Sequence, residues 1–256
     1  MSSKALDGKV AIITGGGTGI GAAIADMFAD HGAHIVVAGR SLETITEVAN
    51  RNKGTAIVCD VSNFEDVQGL FTKAQSITGS VDVLVNNAGI PGPVAPIAEV
   101  NIDQWRKCAE INLFGAMYCM REAARIMCEQ KSGSIINMSS LMGIQGYPMR
   151  SAYTATKFAL VGMTEAVARE VGEYNVRVNV LLPGAVSGEN MDRILEKRAA
   201  AEGKPASEIE KENYTDPAAL KRWVSPEEVA KAALFYASDA SSAVTGDKMK
   251  VDCGRF

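Results

Sequence analysis

The heptapeptide SAYTATK, Ser151–Lys157, sets a phenol and an ammonium four residues apart. In a helix, positions i and i+4 share one face, so Tyr153 and Lys157 would stand one above the other. A cation beside a phenol favours the phenolate and lowers its pKa. That would make Tyr153 a proton acceptor near neutral pH; equally, the two side chains would simply share a helix face. A second stretch suited to chemistry is TGGGTGIG, Thr14–Gly21, where Gly15, Gly19 and Gly21 form GxxxGxG. Glycine permits positive φ, and without a Cβ it lets backbone N–H groups approach an anion. The helix start that follows adds the favourable end of its dipole. The loop thus sits at the strand–turn–helix site a dinucleotide pyrophosphate needs, with Gly15, Thr18, Gly19, Ile20 and Gly21 as candidate contacts.

A dinucleotide site for NAD commonly places an acid after the second strand to hold the ribose 2′-OH. Here that position reads AGRS, with Gly39 followed by Arg40. A guanidinium pairs with a 2′-phosphate and no carboxylate repels it, so NADP(H) is the preferred cofactor and NAD(H) the other possibility. The competing reading is an ordinary solvent-facing arginine, and Thr18 supplies no second cation.

The elements that must position these residues follow from periodicity. VAIIT (Val10–Thr14), HIVVA (His34–Ala38), TAIV (Thr55–Val58), VDVLV (Val81–Val85), SIINM (Ser134–Met138), VRVNVL (Val176–Leu181) and KMKVD (Lys248–Asp252) read as strands. The first six suit a parallel sheet buried on both faces. Ile20, Ala23, Ile24, Met27 and Phe28 form one apolar helical face, and Phe64–Ile77, Trp105–Glu129, Ala152–Gly172 and Pro226–Ala237 read as further helices. The alternation predicts an α/β fold, a doubly wound parallel sheet of about seven strands, as one domain over 1–256. A polar excursion between Gly184 and Pro226, with Met191, Ile194 and Leu195 at helical spacing, predicts a helical lid at about 187–224; a plain surface excursion is the alternative.

Composition excludes several classes. With 47% hydrophobic and 22% charged residues the 256-residue chain has the means to bury a core. A net charge of −4 argues against nucleic acid or an anionic membrane as partner. The N-terminal MSSKALDGKVAIITGG lacks the apolar segment of a signal peptide, and the five cysteines are scattered without CxxC, so a reducing cytoplasmic location is expected. The only histidines, His31 and His34, stand together in HGAH, where a loop-capping role is the expected one, and no metal is expected.

TGGGTGIG, NNAG (Asn86–Gly89), Ser139–Ser140, YTATK and Pro183–Gly184 occur in this order. Together they resemble the short-chain dehydrogenase/reductase family in its single-domain branch, across essentially the whole chain. The resemblance implies a Rossmann-type fold and NAD(P)-dependent interconversion of a secondary alcohol and a ketone. It implies a catalytic tetrad of Asn112, Ser140, Tyr153 and Lys157, the serine lying thirteen positions before the tyrosine. Asp60 and Val61 would touch the adenine, and Asn87, Ala88 and Gly89 would flank the cofactor ribose, which Tyr153 and Lys157 also reach. Pro183, Gly184 and Val186 would face the nicotinamide, and Asn112 would link Lys157 to solvent through water. A homotetramer or homodimer is implied through the two long helices. Each motif has an ordinary structural reading: NNAG as a turn, Ser139–Ser140 as a cap, Asp60 as the cap of the helix at Phe64. Two positions depart from the family pattern: Gly188 stands where a threonine is common, preceded by Ser187, and Cys253 replaces a glycine.

Candidate pocket positions are Ile90–Pro96, Leu141, Met142, Gln145, Tyr147, Met149 and the lid, a mix that suits a small or medium secondary alcohol. Arg150 is a candidate partner for an anionic substrate or a solvated side chain. An epimerase or dehydratase of the same superfamily and a non-catalytic cofactor-binding sensor are the alternatives; the glycine spacing and chain length oppose the first and the complete tetrad the second.

Overall fold

The computed structural model describes residues 4–188, 191–192, 195–196, 199–200 and 203–255. The apolar, β-branched runs form strands: β1 Val10–Thr14, β2 His34–Gly39, β3 Thr55–Val58, β4 Val83–Asn86, β5 Gly133–Met138, β6 Val176–Pro183 and β7 Lys248–Val251. They make one sheet in the order β3-β2-β1-β4-β5-β6-β7. Every pairing is parallel, including β7 on β6, so the seventh run joins the other six. Alternate residues of a strand face opposite layers. Ile13, Val37 and Val85 pack with Phe28 and Tyr236 on one side of the sheet. Ile12, Val36 and Leu84 pack with Phe71, Met120 and Ile126 on the other.

The helices with described bounds include α1 Gly19–Asp30, α2 Leu42–Arg51, α3 Phe64–Thr78, α4 Ile102–Ala109, α5 Gly115–Gln130, α6 Ser151–Val171, α7 Ala206–Glu210 and α8 Pro226–Ala237. Helix α2 has no counterpart among the elements expected from sequence, because only Ile45, Val48 and Ala49 are buried in an otherwise polar segment. The helix expected over Trp105–Glu129 is divided by a π turn at Glu110–Phe114. The cap of α3 is Asn63, whose side chain accepts the Asp66 N–H at 3.1 Å, and Asp60 does not serve there. Helix α8 opens on a capping box between Ser225 and Glu228 with Pro226 in the first turn.

The segment 187–224, expected to be a helical lid, is only partly helical in its described residues: residues 191–192, 195–196 and 199–200, then α7 and a second π turn at Lys211–Thr215. Ile194 of the expected helical face lies outside the described residues. A bridge between Val186 and Val224 closes the base of the segment, and a bridge between Ala218 and Arg255 ties it to the chain beyond β7. No described helix is long and apolar enough to cross a membrane. Among the described residues no cluster of His, Cys, Asp and Glu is fit to hold a metal.

The chain leaves β1 towards β2 and β3, then returns to β4 on the other side of β1. Such a reversal opens a crevice at the carboxyl ends of the strands between β1 and β4. The glycine loop follows β1 and the NNAG turn ends β4, so both rim this crevice.

Candidate active site

Thr14 joins the two rims. Its hydroxyl donates to the Val85 carbonyl at 3.3 Å and accepts the N–H groups of Asn87 and Ala88, each at 3.1 Å. The Asn87 amide returns two hydrogen bonds, to the carbonyls of Thr14 and Gly15 at 3.1 and 3.0 Å. The glycines permit this closeness. A Cβ on Gly21 would lie 2.3 Å from the Gly15 oxygen, and one on Gly15 would lie 2.9 Å from Ala88 Cα.

The loop suits a dinucleotide for two structural reasons. Thr18 precedes α1 without a side-chain cap, so the first helical N–H groups have no hydroxyl or carboxylate covering them. Gly19 has φ +53° and open space where a Cβ would stand. An uncapped helix start beside open space fits an anion. Ile20 is half-buried behind it.

At the end of β2, Arg40 is exposed beside the loop and close enough to Asp60 to help hold its carboxyl below the usual range. The larger cause of that shift is Ser62, whose hydroxyl and N–H donate to Asp60 at 2.6 and 3.0 Å. Val61 is buried against Gly115. At the end of β6, Gly184 approaches Asp252 so closely that a Cβ would meet its Cα at 2.9 Å. Val186 pairs with Val224, and Ser187 donates its hydroxyl to the Val224 carbonyl at 3.3 Å. That hydroxyl is therefore engaged at the base of the lid. Gly188 adopts φ +138°.

Across the crevice, Tyr153 and Lys157 lie one turn apart in α6, with the Lys157 Nζ 5.3 Å from the centroid of the tyrosine ring. Lys157 is buried, and its Nζ donates to the Met138 carbonyl at 2.7 Å. Burial brings its pKa down to about 8. Ser140 accepts the Met142 N–H at 3.2 Å and lies close enough to the Tyr153 phenol to favour its charged form. The phenol departs from the sequence expectation: its pKa is raised, because burial penalises the phenolate more than Arg150 and Ser140 favour it.

Asn112 sits inside the π turn and is almost fully buried. Its side chain grips the main chain of Ile90, accepting the N–H at 2.7 Å and donating to the carbonyl at 2.8 Å. Both ends of the amide are engaged there, so in this structure the side chain positions the turn after β4. A Cβ on Gly89 would lie 3.2 Å from this amide and 3.8 Å from Lys157 Nζ, which places the turn directly over the lysine.

Three contributors have no place among the sequence candidates. Thr14 was visible only as the first letter of the glycine loop. Ser139 donates to the Lys157 carbonyl at 2.8 Å and braces α6, while the Met138 carbonyl anchors the ammonium. A carbonyl leaves no mark in a sequence. A cavity of about 140 Å³ lies at the opposite, amino-terminal edge of the sheet, lined by Lys9, Asp82, Ser134 and Arg177, and includes none of the candidate residues.

Comparison with known proteins covers nearly the whole chain. A family model described as enoyl-(acyl carrier protein) reductase matches residues 15–255. The chain is 36% identical over 252 residues to a 2,5-dichloro-2,5-cyclohexadiene-1,4-diol dehydrogenase of Sphingobium indicum, covering 97% of each. Among solved structures it resembles NAD+-bound xylitol dehydrogenase, with a TM-score of 0.90, 28% identity and coverage of 97% and 99%. It also resembles a single-substitution variant of actinorhodin polyketide ketoreductase with NADPH, with a TM-score of 0.90, 29% identity and coverage of 96% of each chain.

Proposed function

This chain belongs to the short-chain dehydrogenase/reductase family, and on that premise we propose that it is an NAD(P)-dependent oxidoreductase interconverting a secondary alcohol and a ketone. The carrying observation is the meeting, across one crevice, of an uncapped glycine-loop helix start and the Ser140–Tyr153–Lys157 cluster. The loop residues Gly15, Thr18, Gly19, Ile20 and Gly21 would hold the pyrophosphate. Asp60 and Val61 would meet the adenine, and Asn87–Gly89 with Tyr153 and Lys157 the ribose. Pro183, Gly184 and Val186 would face the nicotinamide. Arg40 favours NADP(H) by pairing with the 2′-phosphate. When bound, the dinucleotide supplies the hydride for reduction and accepts it for oxidation.

The chain's own residues manage the proton. In reduction the Tyr153 phenol donates its proton to the developing alkoxide, and in oxidation its phenolate takes the alcohol proton. Ser140, its oxygen already accepting from Met142, directs its hydroxyl proton at the substrate oxygen and polarises the carbonyl. Lys157, fixed on Met138, keeps a positive charge below the phenol. The raised pKa keeps the phenol protonated at neutral pH, the form that donates in reduction.

The exposed apolar side chains Val94, Ile144 and Met149 stand on segments beside the catalytic helix and suit a compact, largely apolar substrate. Phe114 and Phe158, exposed on the segments expected to form a subunit contact, support a homodimer or homotetramer. A cytoplasmic location is in keeping with five free cysteines. The test follows NADPH or NADH loss against ketones, keto acids, sugars and acyl thioesters, with Tyr153→Phe in parallel. Turnover abolished by that change supports the reading; equal turnover in the variant, or cofactor binding with no turnover across the panel, rejects it.

A further inference from the structure

Arg150 stands immediately before α6, three residues ahead of Tyr153. Its guanidinium carbon lies 5.2 Å from the centroid of the Tyr153 ring, the same ring that Lys157 Nζ approaches to 5.3 Å. The Arg150 Nε is buried and has no hydrogen-bond partner. A guanidinium is ordinarily drawn to carboxylates or carbonyls that match its fork; here the ring of Tyr153 is what this part of it meets. The backbone sets that placement. Met149 adopts φ +62°, a left-handed conformation that costs a non-glycine residue on the order of 1 kcal/mol. Its carbonyl accepts the Ala95 N–H at 3.1 Å, and the Arg150 N–H donates to Tyr147 at 3.3 Å. The strained turn delivers Arg150 to the tyrosine.

We propose that Arg150 is a positioning residue of the proton-transfer site, a permanent second cation on the Tyr153 ring that favours the phenolate. The inference rests on the reading above, in which Tyr153 moves the proton. Four groups face the phenol: Arg150 from just before α6, Lys157 from α6, Ser140 from the segment after β5, and Cys108 from α4. Cys108 is a buried thiol with a raised pKa and stays neutral at neutral pH. Lys157 loses its proton above about pH 8, whereas a guanidinium stays charged throughout. In the alkaline range where a phenol ionises, Arg150 is thus the cation that persists. Removing it raises the Tyr153 pKa, since one charge favouring the phenolate is gone.

The experiment needs no substrate, so it remains decisive even where the proposed oxidoreductase activity fails. The full chain is labelled with 13Cζ-tyrosine, and the Tyr153 resonance, identified by its absence in Tyr153→Phe, is followed against pH. Wild type, Arg150→Met and Arg150→Lys are compared, with circular dichroism marking the alkaline limit of each fold. The expected result is a Tyr153 midpoint raised by about one pH unit or more in Arg150→Met, or carried past that limit, with Arg150→Lys retaining part of the wild-type value. Should Arg150→Met fail to fold, Arg150→Gln takes its place with the same expectation. Equal midpoints in wild type and the uncharged variant, or both beyond the alkaline limit, overturn the proposal.

Discussion

The Lys157 ammonium, buried beneath the crevice, is anchored to the Met138 carbonyl at the end of β5 by a 2.7 Å hydrogen bond. One neutral acceptor does not replace a hydration shell, and burial lowers the amine from its ordinary 10.5 to about 8. A folded pKa below the unfolded one means the native state binds fewer protons between these two values. Stability therefore rises with pH through that window, and the penalty is fully present below it. At 1.36 kcal/mol per pKa unit the penalty is on the order of 3 kcal/mol at neutral pH. Lys157→Met removes the penalty along with a charge-assisted hydrogen bond worth about 1.5–3 kcal/mol. The variant should be up to about 1.5 kcal/mol more stable at pH 7, with the gain shrinking towards pH 10, while losing at least about 100-fold in turnover. Urea unfolding at several pH values reads the first and steady-state rates the second. A less stable variant would show that the hydrogen bond outweighs desolvation, and near wild-type turnover would remove Lys157 from the machinery.

Gly21 and Gly19 separate two uses of glycine in one loop. A Cβ on Gly21 would overlap the Gly15 carbonyl and approach the Asn87 amide to 2.6 Å, pressing apart the two rims that Thr14 joins. Gly21→Ala should therefore cost about 1–3 kcal/mol of stability through overpacking. Gly19 meets nothing, and only its φ of +53° opposes a side chain. Gly19→Ala should cost about 1–2 kcal/mol of stability, the strain of a left-handed backbone alone, and weaken NADPH about 10-fold, because its methyl would stand in the open space where the pyrophosphate is proposed to lie. Denaturation curves and cofactor titrations by fluorescence check the pair. Unchanged affinity in Gly19→Ala would place the pyrophosphate elsewhere.

Cys253 holds φ +55° where the family pattern has glycine. Its thiol reaches the Trp223 carbonyl at 3.6 Å, a weak contact in return for a strained backbone. Cys253→Gly should raise stability by up to about 1 kcal/mol, the relief of strain partly offset by a more flexible unfolded chain. Cys253→Ala keeps the strain and loses the contact, so it should give no gain. Thermal unfolding of both variants decides; equal stabilities would show that the backbone there is not strained.

The sheet was legible because a doubly covered parallel strand is apolar along most of its length, and VAIIT, HIVVA and SIINM carry that in their letters despite the buried Asn137. Helix α2 was not, since three buried residues among Thr, Glu and Asn leave too narrow a stripe. The π turn was invisible for another reason: it coincides with the bidentate grip of Asn112 on Ile90, twenty-two residues away. The two serines show the limit most clearly. Sequence spacing within the family pattern selects Ser140, but only the fold shows Ser139 turned inward to the Lys157 carbonyl while Ser140 meets Tyr153. The expectation of a lowered Tyr153 pKa weighed the charge of Lys157 without the burial that both side chains share, and burial depends on what the sheet and the loops place around them.

Arg40 is the residue on which the proposed preference for NADP(H) rests. It is exposed at the end of β2, beside an uncapped Thr18 and across from Asp60, whose carboxyl it helps to hold in the charged form. A guanidinium in that place attracts a 2′-phosphate, and an exposed pair is screened by salt. In the wild type the KM for NADPH should therefore rise with ionic strength between about 0.05 and 0.5 M, with little change for NADH. Arg40→Asp replaces attraction by repulsion and supplies an acceptor for a free ribose 2′-OH. The ratio of kcat/KM for NADPH over NADH should fall by about 100-fold, equivalent to about 2.7 kcal/mol of differential binding. Parallel assays at fixed substrate read the ratio directly. A salt-insensitive KM together with an unchanged ratio would make Arg40 a solvent-facing side chain and leave NAD(H) as the equal choice.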